Sequence, residues 1–394
     1  MKSYLQDEAF KDKLVRIRND FHANPELSHE EFETTEKIRR YVTDLGYEVL
    51  DIGLKTGLVA RLRTKEEAPS VLLRADIDAL PIHEASDKPY ASKVDGKMHA
   101  CGHDVHATVL IGAAEILAAQ KDTLPGTVYL FFQPAEEVNE GARSAIDNGL
   151  FEKYPIDVVL GQHNQPLLPT GTVGVREGGL MAAVDTLRVK VTGKGGHGAM
   201  PNETIDPVIA TAAMLQNLQS IVSRNVFPLE GAVISIGSIH GGQANNVIPD
   251  FVKFTGTVRS FSEDVRELLH KRIHEVLEQT AKAYQVEVEI EYIFHLPPVS
   301  NPKEYADLAK EVVRDVLGKN AAVVPTPSMG GEDFALLLDQ APGVFLWLGV
   351  GNPEKGIEHV WHHPSYDADE DAFAPGAVVM AEMAKRMLEH VKEV

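Results

Sequence analysis

Strand-like apolar runs that alternate with helix-like patterns are the feature that most constrains this 394-residue chain. Strands of the buried type begin at Val71, Gly126 and Ile156. A long apolar helix pattern covers Val105 to Gln120, and a short one covers Ala142 to Phe151. The same alternation returns after residue 295, where a helix pattern from Lys303 to Leu317 is followed by the strand pattern GVFLWLGV and a C-terminal helix pattern from about Asp369. This alternation predicts an α/β domain, a mixed sheet with helices on both faces.

The pattern changes between residues 182 and 294. Alternating strands surround two long helix patterns, from Pro207 to Arg224 and from Glu263 to Tyr284. The order strand, helix, strand, strand, helix, strand is typical of a ferredoxin-like α+β module. We therefore expect a catalytic domain formed by residues 1–181 and 295–394 and interrupted by an inserted domain of residues 182–294.

Composition excludes several classes of protein. Acidic residues outnumber basic ones by 58 to 38, and the formal net charge is -20, so the surface should repel nucleic acid and anionic membranes. Cys101 is the sole cysteine, which excludes an intramolecular disulfide and favours a reducing compartment. The N-terminal segment reads as an amphipathic helix, not as a signal peptide, and no apolar run reaches membrane-spanning length. These features predict a cytoplasmic protein.

The segment MHACGHDVH is the densest set of potential metal ligands. It holds five such side chains: His99, Cys101, His103, Asp104 and His106. Cysteine and histidine suit borderline metals such as zinc, cobalt, nickel or manganese. In extended backbone, alternate positions such as Cys101 and His103 point the same way. The alternatives are a histidine-rich loop without metal and a buried structural cysteine.

Three more clusters fall at the same kind of place, near the ends of predicted buried strands or before the last helix. They contain Glu136 and Glu137 in QPAEE, His163 in GQHNQP, and the pair His362 and His363 in WHHP. Sites in open α/β sheets collect at the carboxyl ends of strands. Beside a metal, one glutamate can be a ligand while its neighbour takes a proton from water. Taken singly, each cluster also fits a solvated helix start or an ordinary hydrogen-bonded histidine.

The inserted domain adds two glycine-rich turns. GKGGHGAMP contains His197, GGQANNVIPD contains Asn245 and Asn246, and Arg259 lies on the strand that follows. Such turns either serve only the backbone or supply hydrogen-bond donors to an oxyanion or a carboxylate. A further turn, GGEDF at residues 330–334, opens a helix; its amides line a cleft, or it is a plain helix cap.

In combination these motifs resemble a known family. RADIDALP, MHACGHDVHAT, FQPAEE, GQHNQP, GKGGHGAMP, NNVIPD, GGEDF and HHP occur in the order seen in the aminoacylase/carboxypeptidase family of dinuclear metallopeptidases. The chain looks most similar to the branch with hippurate hydrolases, indole-acetyl amino acid hydrolases and N-acyl amino acid amidohydrolases. The resemblance extends from NPELSHEE near the start to the C-terminal helix.

The resemblance implies a role for individual residues. Glu136 would be the general base, and Asp78 would orient a ligand. His362 and not His363 matches the ligand position, since the family pattern there is His-x-Pro. The implied ligands of two divalent cations (manganese, zinc, nickel or cobalt) are Cys101, His103, Glu137, His163 and His362.

The resemblance also gives the inserted domain a function, as a lid and as the surface of a homodimer or higher homo-oligomer. His197 would stabilise the tetrahedral oxyanion, from its own subunit or from the partner. Asn246 and Arg259 would bind the α-carboxylate of the substrate. Other branches carry aspartate where this chain has Cys101, and the thiolate is typical of the amidohydrolase branch.

The function expected on these grounds is metal-dependent hydrolysis of the amide bond of small N-acyl amino acids, with N-acetyl or aromatic acyl groups. A dipeptidase or carboxypeptidase would use the same groups, and so would a deacetylase of N-acetyl-diaminopimelate or of an N-acetylated cysteine. The alternatives outside these activities are a metal-binding or ligand-binding protein without activity and turns that serve packing alone.

Overall fold

The computed structural model describes residues 1–64 and 69–393, which divide into two compact units. Unit 1 comprises Met1–Glu177, Asn301–Thr326 and Asp333–Val394, and unit 2 comprises Gly178–Ser300 and Pro327–Glu332. The predicted insertion, residues 182–294, falls within unit 2. Its service as a lid or dimerisation domain stays a prediction.

The helices of the described residues were mostly visible in the sequence. Those of unit 2 and the helix after residue 300 begin and end within one residue of the predicted bounds. The α-helices are α1 Glu8–Ala23, α2 Phe32–Asp44, α3 His103–Ala118, α4 Gly141–Asp147, α5 Leu150–Lys153, α6 Pro207–Asn225, α7 Glu263–Tyr284, α8 Lys303–Leu317, α9 Phe334–Leu338 and α10 Phe373–Glu393.

The strands form one large sheet in unit 1 and a smaller one in unit 2, with short pairs besides. They are β1 Glu48–Leu50, β2 Leu58–Leu62, β3 Ser70–Asp76, β4 Thr127–Gln133, β5 Val158–Pro169, β6 Val173–Gly174, β7 Gly178–Met181, β8 Val184–Thr192, β9 Gly196–His197, β10 Ala232–Gly241, β11 Val247–Ile248, β12 Phe251–Ser260, β13 Glu287–Leu296, β14 Val299–Asn301, β15 Ala322–Val323 and β16 Gly343–Gly351.

The sheet of unit 1 is mixed, in the order β1-β2-β4-β3-β5-β16-β6-β15. Its central strands β4, β3, β5 and β16 run parallel, and β1, β2 and β6 add antiparallel pairs. Helices cover both faces: α3 and α10 pack on one, and on the other Phe334 of α9 contacts Phe345 with ring centroids 4.8 Å apart. The predicted α/β class is confirmed.

Unit 2 contains a four-stranded antiparallel sheet in the order β10-β12-β8-β13. Helices α6 and α7 pack on one face of it through a core that includes Leu187, Phe254, Met214 and Leu269. The strand order is the one a split βαβ unit produces.

Two local expectations are wrong. The helix pattern from Ala142 to Phe151 is divided into α4 and α5, because Gly149 between them takes the left-handed backbone conformation at φ +82°. His163 does not end its strand: β5 continues to Pro169, because β16 pairs with it over that whole length. On its other side, β5 pairs with β3 only as far as Gly161, so His163 lies just beyond the end of that pairing.

None of the helices in the described parts of the chain is long and apolar enough to cross a membrane.

Candidate metal centre

Two candidate ligands flank the start of α3. The backbone between Cys101 and His103 is not extended as expected: Gly102 sits at φ +81° and His103 is the first residue of α3. A side chain at residue 102 would collide with Tyr366 and Asn164, at 2.3 and 2.4 Å from its Cβ. Glycine therefore permits the turn that aims both side chains at the same space.

The five implied ligands come together at this place. Cys101 Sγ lies 3.6 Å from His163 Nε2, and the donor atoms of Cys101, His103 and His163 all lie within 4.8 Å of one another. The same holds for Cys101, Glu137 and His362. Glu137 joins the two groups, since its oxygens are 3.8 Å from His103 Nε2 and 3.6 Å from His362 Nε2.

Two atoms of this cluster lack the partner that burial demands. His103 Nε2 and Glu137 Oε1 are buried and make no hydrogen bond within the described residues. Buried polar atoms are nearly always paired, because an unmade bond costs about 1–3 kcal/mol. A cation would satisfy both atoms, and thiolate, imidazole and carboxylate are a donor set for borderline divalent metals. The residues thus fit a metal centre.

Asp78 fixes the ring of His103. Its Oδ1 lies 3.1 Å from His103 Nδ1, and its Oδ2 accepts hydrogen bonds from Ser28 Oγ at 2.7 Å and from the backbone N–H of Glu137 at 3.1 Å. A proton held on Nδ1 leaves the lone pair of Nε2 free to face the other ligands.

His106 and Asp104, which the sequence offered as potential ligands, both have hydrogen-bond partners, although the donor atoms of His106, Asp76 and His103 lie within 4.8 Å of one another. His106 hydrogen-bonds Asp76 through Nδ1 and accepts the backbone N–H of Asn164 at Nε2. Asp104 turns away to accept from Arg18 at 2.9 Å and to face His22 Nδ1 at 2.7 Å. Both lie on α3 and help to anchor its first turn.

His99, the remaining residue of that group, is also buried, and neither ring nitrogen makes a hydrogen bond in the described chain. Burial lowers the pKa of His99 to about 4. It belongs to none of the groups of side chains whose donor atoms lie together.

A second network, which sequence reasoning missed, holds the ends of β3 and β4. Arg74 is fully buried and bonds Asp76, Gln133 and Asp333 at 2.8–2.9 Å. Asp333 also accepts the N–H of Ala142. The plain-cap interpretation of GGEDF is wrong for Asp333, whose side chain caps no amide of α9. An arginine inside an otherwise apolar buried strand is the signal that could have revealed this network.

Burial and neighbouring charges determine the protonation of the cluster. Burial, reinforced by Glu137, raises the pKa of the Cys101 thiol well above its usual value. Burial opposes a proton on His103, but the charge of Asp76 and the bond to Asp78 raise the pKa of that ring well above its usual value. Burial and the charge of His106 hold the pKa of His163 well below the usual value.

Glu136 stands beside the five ligands. It follows Ala135, a residue with φ +53°, and its side chain is nearly buried. Its Oε2 lies 4.0 Å from His103 Nε2. Its carboxylate forms a group with His103 and Glu137 whose donor atoms lie within 4.8 Å of one another, but it is not in the group of Cys101, Glu137 and His362.

His362 differs from the other candidates because its side chain is 54% exposed. Its backbone is left-handed at φ +64°, and its N–H donates to Ala100 O at 2.9 Å, which ties the turn to the segment before Cys101. His363 Nδ1 accepts the N–H of Ser365 instead, and its ring stacks on His359 at 4.0 Å.

Within unit 2, His197 and Asn246 are neighbours. His197 on β9 pairs with Val247 on β11, and the N–H of Gly198 donates to Asn246 O at 2.8 Å. Arg259 on β12 is partly buried, and its guanidinium makes no hydrogen bond or ion pair with another described residue. Burial lowers its pKa.

The comparison with known proteins agrees with this geometry. A sequence model of Peptidase family M20/M25/M40 matches residues 72–386. N-acetylcysteine deacetylase of Bacillus subtilis is 42% identical over 98% of this chain and 100% of its own length. IAA-amino acid hydrolase ILR1-like 2 of Arabidopsis thaliana is 39% identical, with 96% of this chain and 85% of the relative covered.

The chain is also similar to a solved structure, the YXEP protein of Bacillus subtilis, described as a dinuclear metal-binding peptidase of the M20 family. The TM-score is 0.87 at 39% identity, and the match covers 97% of this chain and 99% of the other.

Proposed function

The chain belongs to peptidase family M20/M25/M40, and from that membership we propose that this hydrolase cleaves the amide bond of small N-acyl amino acids with the help of two divalent cations. The activities for which its relatives are named, deacetylation of N-acetylcysteine and hydrolysis of an amino acid conjugate, share this bond type. N-acetyl amino acids, N-acetylcysteine among them, are thus the first substrates to test.

One observation carries the proposal. His103 Nε2 and Glu137 Oε1 are buried, make no hydrogen bond in the described chain, and lie 3.8 Å apart. A fold that served only packing would pair these atoms, because leaving them unmade costs free energy. The lack of a hydrogen-bond partner at these two atoms supports a cation-binding role and argues against a histidine-rich loop without metal.

We assign the two cations to Cys101, His103, Glu137, His163 and His362. When bound, cations such as manganese, zinc, nickel or cobalt supply Lewis acidity, which polarises a carbonyl and acidifies water. Asp78 would keep His103 in the tautomer that directs Nε2 to the cation, as its contact with Nδ1 suggests.

Glu136 is the proposed general base. A carboxylate that is almost buried beside the ligands can take a proton from the attacking water and then deliver it to the leaving nitrogen. The adjacent residue, Glu137, is a proposed metal ligand, so the two neighbouring glutamates have different proposed roles.

For unit 2 we propose the roles that the family resemblance implies. His197 would donate to the tetrahedral oxyanion, from its own subunit or a partner, and Asn246 and Arg259 would bind the α-carboxylate. The guanidinium of Arg259 supports this assignment. It is partly buried and makes no hydrogen bond or ion pair with a described residue, although the charge of Asp185 acts on it, and such a cation is suited to an anionic ligand. We further propose that unit 2 is a lid and the contact surface of a homodimer.

The experiment that tests the proposal compares Glu136→Gln with the wild type and with Glu140→Gln. Glu140 lies in the same turn, but it is 65% exposed and contacts His29 at the surface. The proteins, reconstituted with manganese or zinc, are assayed on N-acetyl amino acids, N-benzoyl amino acids and dipeptides. Loss of a general base should lower kcat by about 10²–10⁴-fold, with two metals per chain retained.

Near-normal kcat in Glu136→Gln would refute the assignment of the base. Cleavage of dipeptides alone, with a free α-amino group required, would replace the proposal by an exopeptidase. Bound metal without hydrolysis of any substrate would leave a metal-binding protein.

A further inference from the structure

The backbone immediately before the proposed base has an uncommon conformation. Ala135 has φ +53°, in the left-handed region that residues with a Cβ seldom occupy, and its side chain is wholly buried. Such a conformation persists only where its surroundings hold it. Because Ala135 precedes Glu136 directly, whatever holds the one also sets the direction of the other.

Glu31 holds this residue. Its Oε1 accepts the backbone N–H of Ala135 at 2.8 Å, and its Oε2 accepts the hydroxyl of Thr56 at 2.7 Å. The glutamate is wholly buried, and Thr56 is 2% exposed. Both oxygens are thus committed in a space that water does not reach.

Neither helix capping nor ion pairing explains why Glu31 is buried. It occupies the N-cap position of α2, but its side chain accepts no hydrogen bond from that helix. Its carboxyl group forms no ion pair with a lysine, arginine or histidine of the described chain, and burial raises its pKa. A carboxylate placed in the interior without a cation is costly, which indicates that its bond to Ala135 has a use.

The N-terminal segment that contains Glu31 is also linked to Glu137, through a second set of hydrogen bonds. Ser28 donates to Asp78, and Asp78 accepts the N–H of Glu137. Glu31 therefore acts at the residue before the proposed base, and Ser28 acts, through Asp78, at the proposed ligand. The two routes share no atom, so their effects can be separated.

We infer that Glu31 is a positioning residue, which directs the proposed general base Glu136 by fixing the left-handed backbone of Ala135. This inference rests on the proposed function. The bond from Ala135 to Glu31 selects the backbone conformation, and that conformation aims the Glu136 carboxylate toward the reacting water. The side chain of Glu31 hydrogen-bonds Ala135 and Thr56 and none of the proposed ligands.

Kinetics of four variants test the inference. E31A removes both hydrogen bonds; E31D keeps the buried carboxylate but shortens its reach; E31Q keeps an oxygen for Ala135 and can donate to the hydroxyl of Thr56. The control is E30A, which removes the neighbouring exposed glutamate that pairs with Lys97 at the surface.

E31A should lower kcat about 10- to 100-fold, the range found when residues that support a site are removed. KM should stay within about two-fold and two metals should remain bound, because the ligands are held by other contacts. E31D, which retains charge and burial, should show a smaller loss of the same kind and serves where E31A does not fold. E31Q and E30A should stay near the wild type.

The double variant E31A/A135G provides the decisive comparison. Glycine takes positive φ without the steric cost of a Cβ, so it should recover part of the kcat that E31A loses. The inference would be overturned if E31A and E31D both kept the wild-type kcat, or if E31A lost bound metal while its kcat per bound metal stayed unchanged. It would also be overturned if E31Q lost as much kcat as E31A and E31A/A135G recovered none of it.

A crystal structure of metal-free E31A adds a readout that needs no activity. Ala135 should leave the positive-φ region and the Glu136 carboxylate should shift. An unchanged backbone at Ala135 overturns the inference on its own. If the wild type hydrolyses no acyl amino acid, the proposed function fails, and this structure still decides whether Glu31 fixes the turn.

Discussion

Among single residues, Asp78 offers the sharpest test of how the candidate centre is held. Its Oδ1 faces Nδ1 of His103, while its other oxygen accepts from Ser28 and Glu137. An asparagine amide in its place would present N–H to Nδ1 and disfavour the tautomer that leaves Nε2 free. We expect Asp78→Asn to weaken metal affinity about 10- to 100-fold, measured by titration against a competing chelator.

The matched control for Asp78 is Asp95→Asn. Asp95 makes the same kind of contact, 2.8 Å from His83 Nδ1, but it is 90% exposed and belongs to none of the candidate metal groups. Its replacement should leave metal affinity unchanged. Equal affinity in Asp78→Asn and the wild type would contradict the orienting role.

His22 should make the stability of the fold depend on pH. It is buried between Asp104, 2.7 Å from its Nδ1, and Glu84, 3.4 Å from its Nε2. Burial and Arg18 oppose a proton on this ring, but the charge of Asp104 and the two hydrogen bonds outweigh them and raise its pKa. A folded-state pKa above the unfolded value of about 6.5 means that the proton stabilises the fold below that pH. The contribution is lost as pH rises through the folded-state pKa.

His22→Gln should therefore lower the free energy of unfolding more at pH 6 than at pH 9. Urea titrations of metal-free protein at the two pH values measure the difference, with the exposed His240→Gln as the control. An equal loss at both pH values would show that His22 carries no proton in the fold.

At the scale of elements, a buried ion pair joins helix α7 to strand β8 in unit 2. Arg266 donates to both oxygens of Asp185, and Tyr292 on β13 donates to the same carboxylate. Removing one partner leaves the other charge buried and uncompensated, which costs about 3–5 kcal/mol. We expect Asp185→Ala to lower the free energy of unfolding by that amount in urea titrations followed by circular dichroism.

A surface pair in the same sheet is the control. Lys190 and Glu289 also join β8 to β13, but Glu289 is 69% exposed, and exposed pairs contribute little. Glu289→Ala should leave the unfolding midpoint within error. A similar small effect of Asp185→Ala would mean that Arg266 finds another partner.

The elements also show what the sequence could predict. Helices α7 and α8 carry long amphipathic patterns, and both of their ends were placed correctly. Strands β6 and β15 have two residues each, which is too short for any periodicity, so only pairing with distant neighbours defines them. The predicted end of β5 was wrong for the same reason: its partner β16 lies far along the chain, so that Val159 pairs with Gly343.

The candidate site divides in the same way. The proposed ligands could be named because their chemical type and their place near strand ends are visible in one sequence, and the structure brings their donor atoms together. Residues that hold them were missed: Glu31 acts on Ala135 across 104 positions, and Arg74 on Asp333 across 259. A glutamate or arginine has many ordinary surface uses, and only the folded chain shows that these two are buried.

At the scale of the whole molecule, the two units differ in what metal binding can stabilise. Each unit has a core of its own, but the five proposed ligands all belong to unit 1. A ligand that binds the folded form alone adds about 2.7 kcal/mol at a concentration 100 times its Kd. Metal should therefore stabilise unit 1 directly.

The chain offers a probe for this, because its two tryptophans, Trp347 and Trp361, both lie in unit 1. Urea unfolding followed by tryptophan fluorescence should shift to lower urea when manganese is replaced by a chelator. His362→Ala should abolish most of that shift, and it opens no cavity because the side chain is half exposed. His363→Ala, one residue along and bonded to Ser365, should keep the full shift. If the urea midpoint of the wild type were the same with manganese and with chelator, the metal centre would be refuted. Equal shifts in the two variants would refute His362 as its ligand.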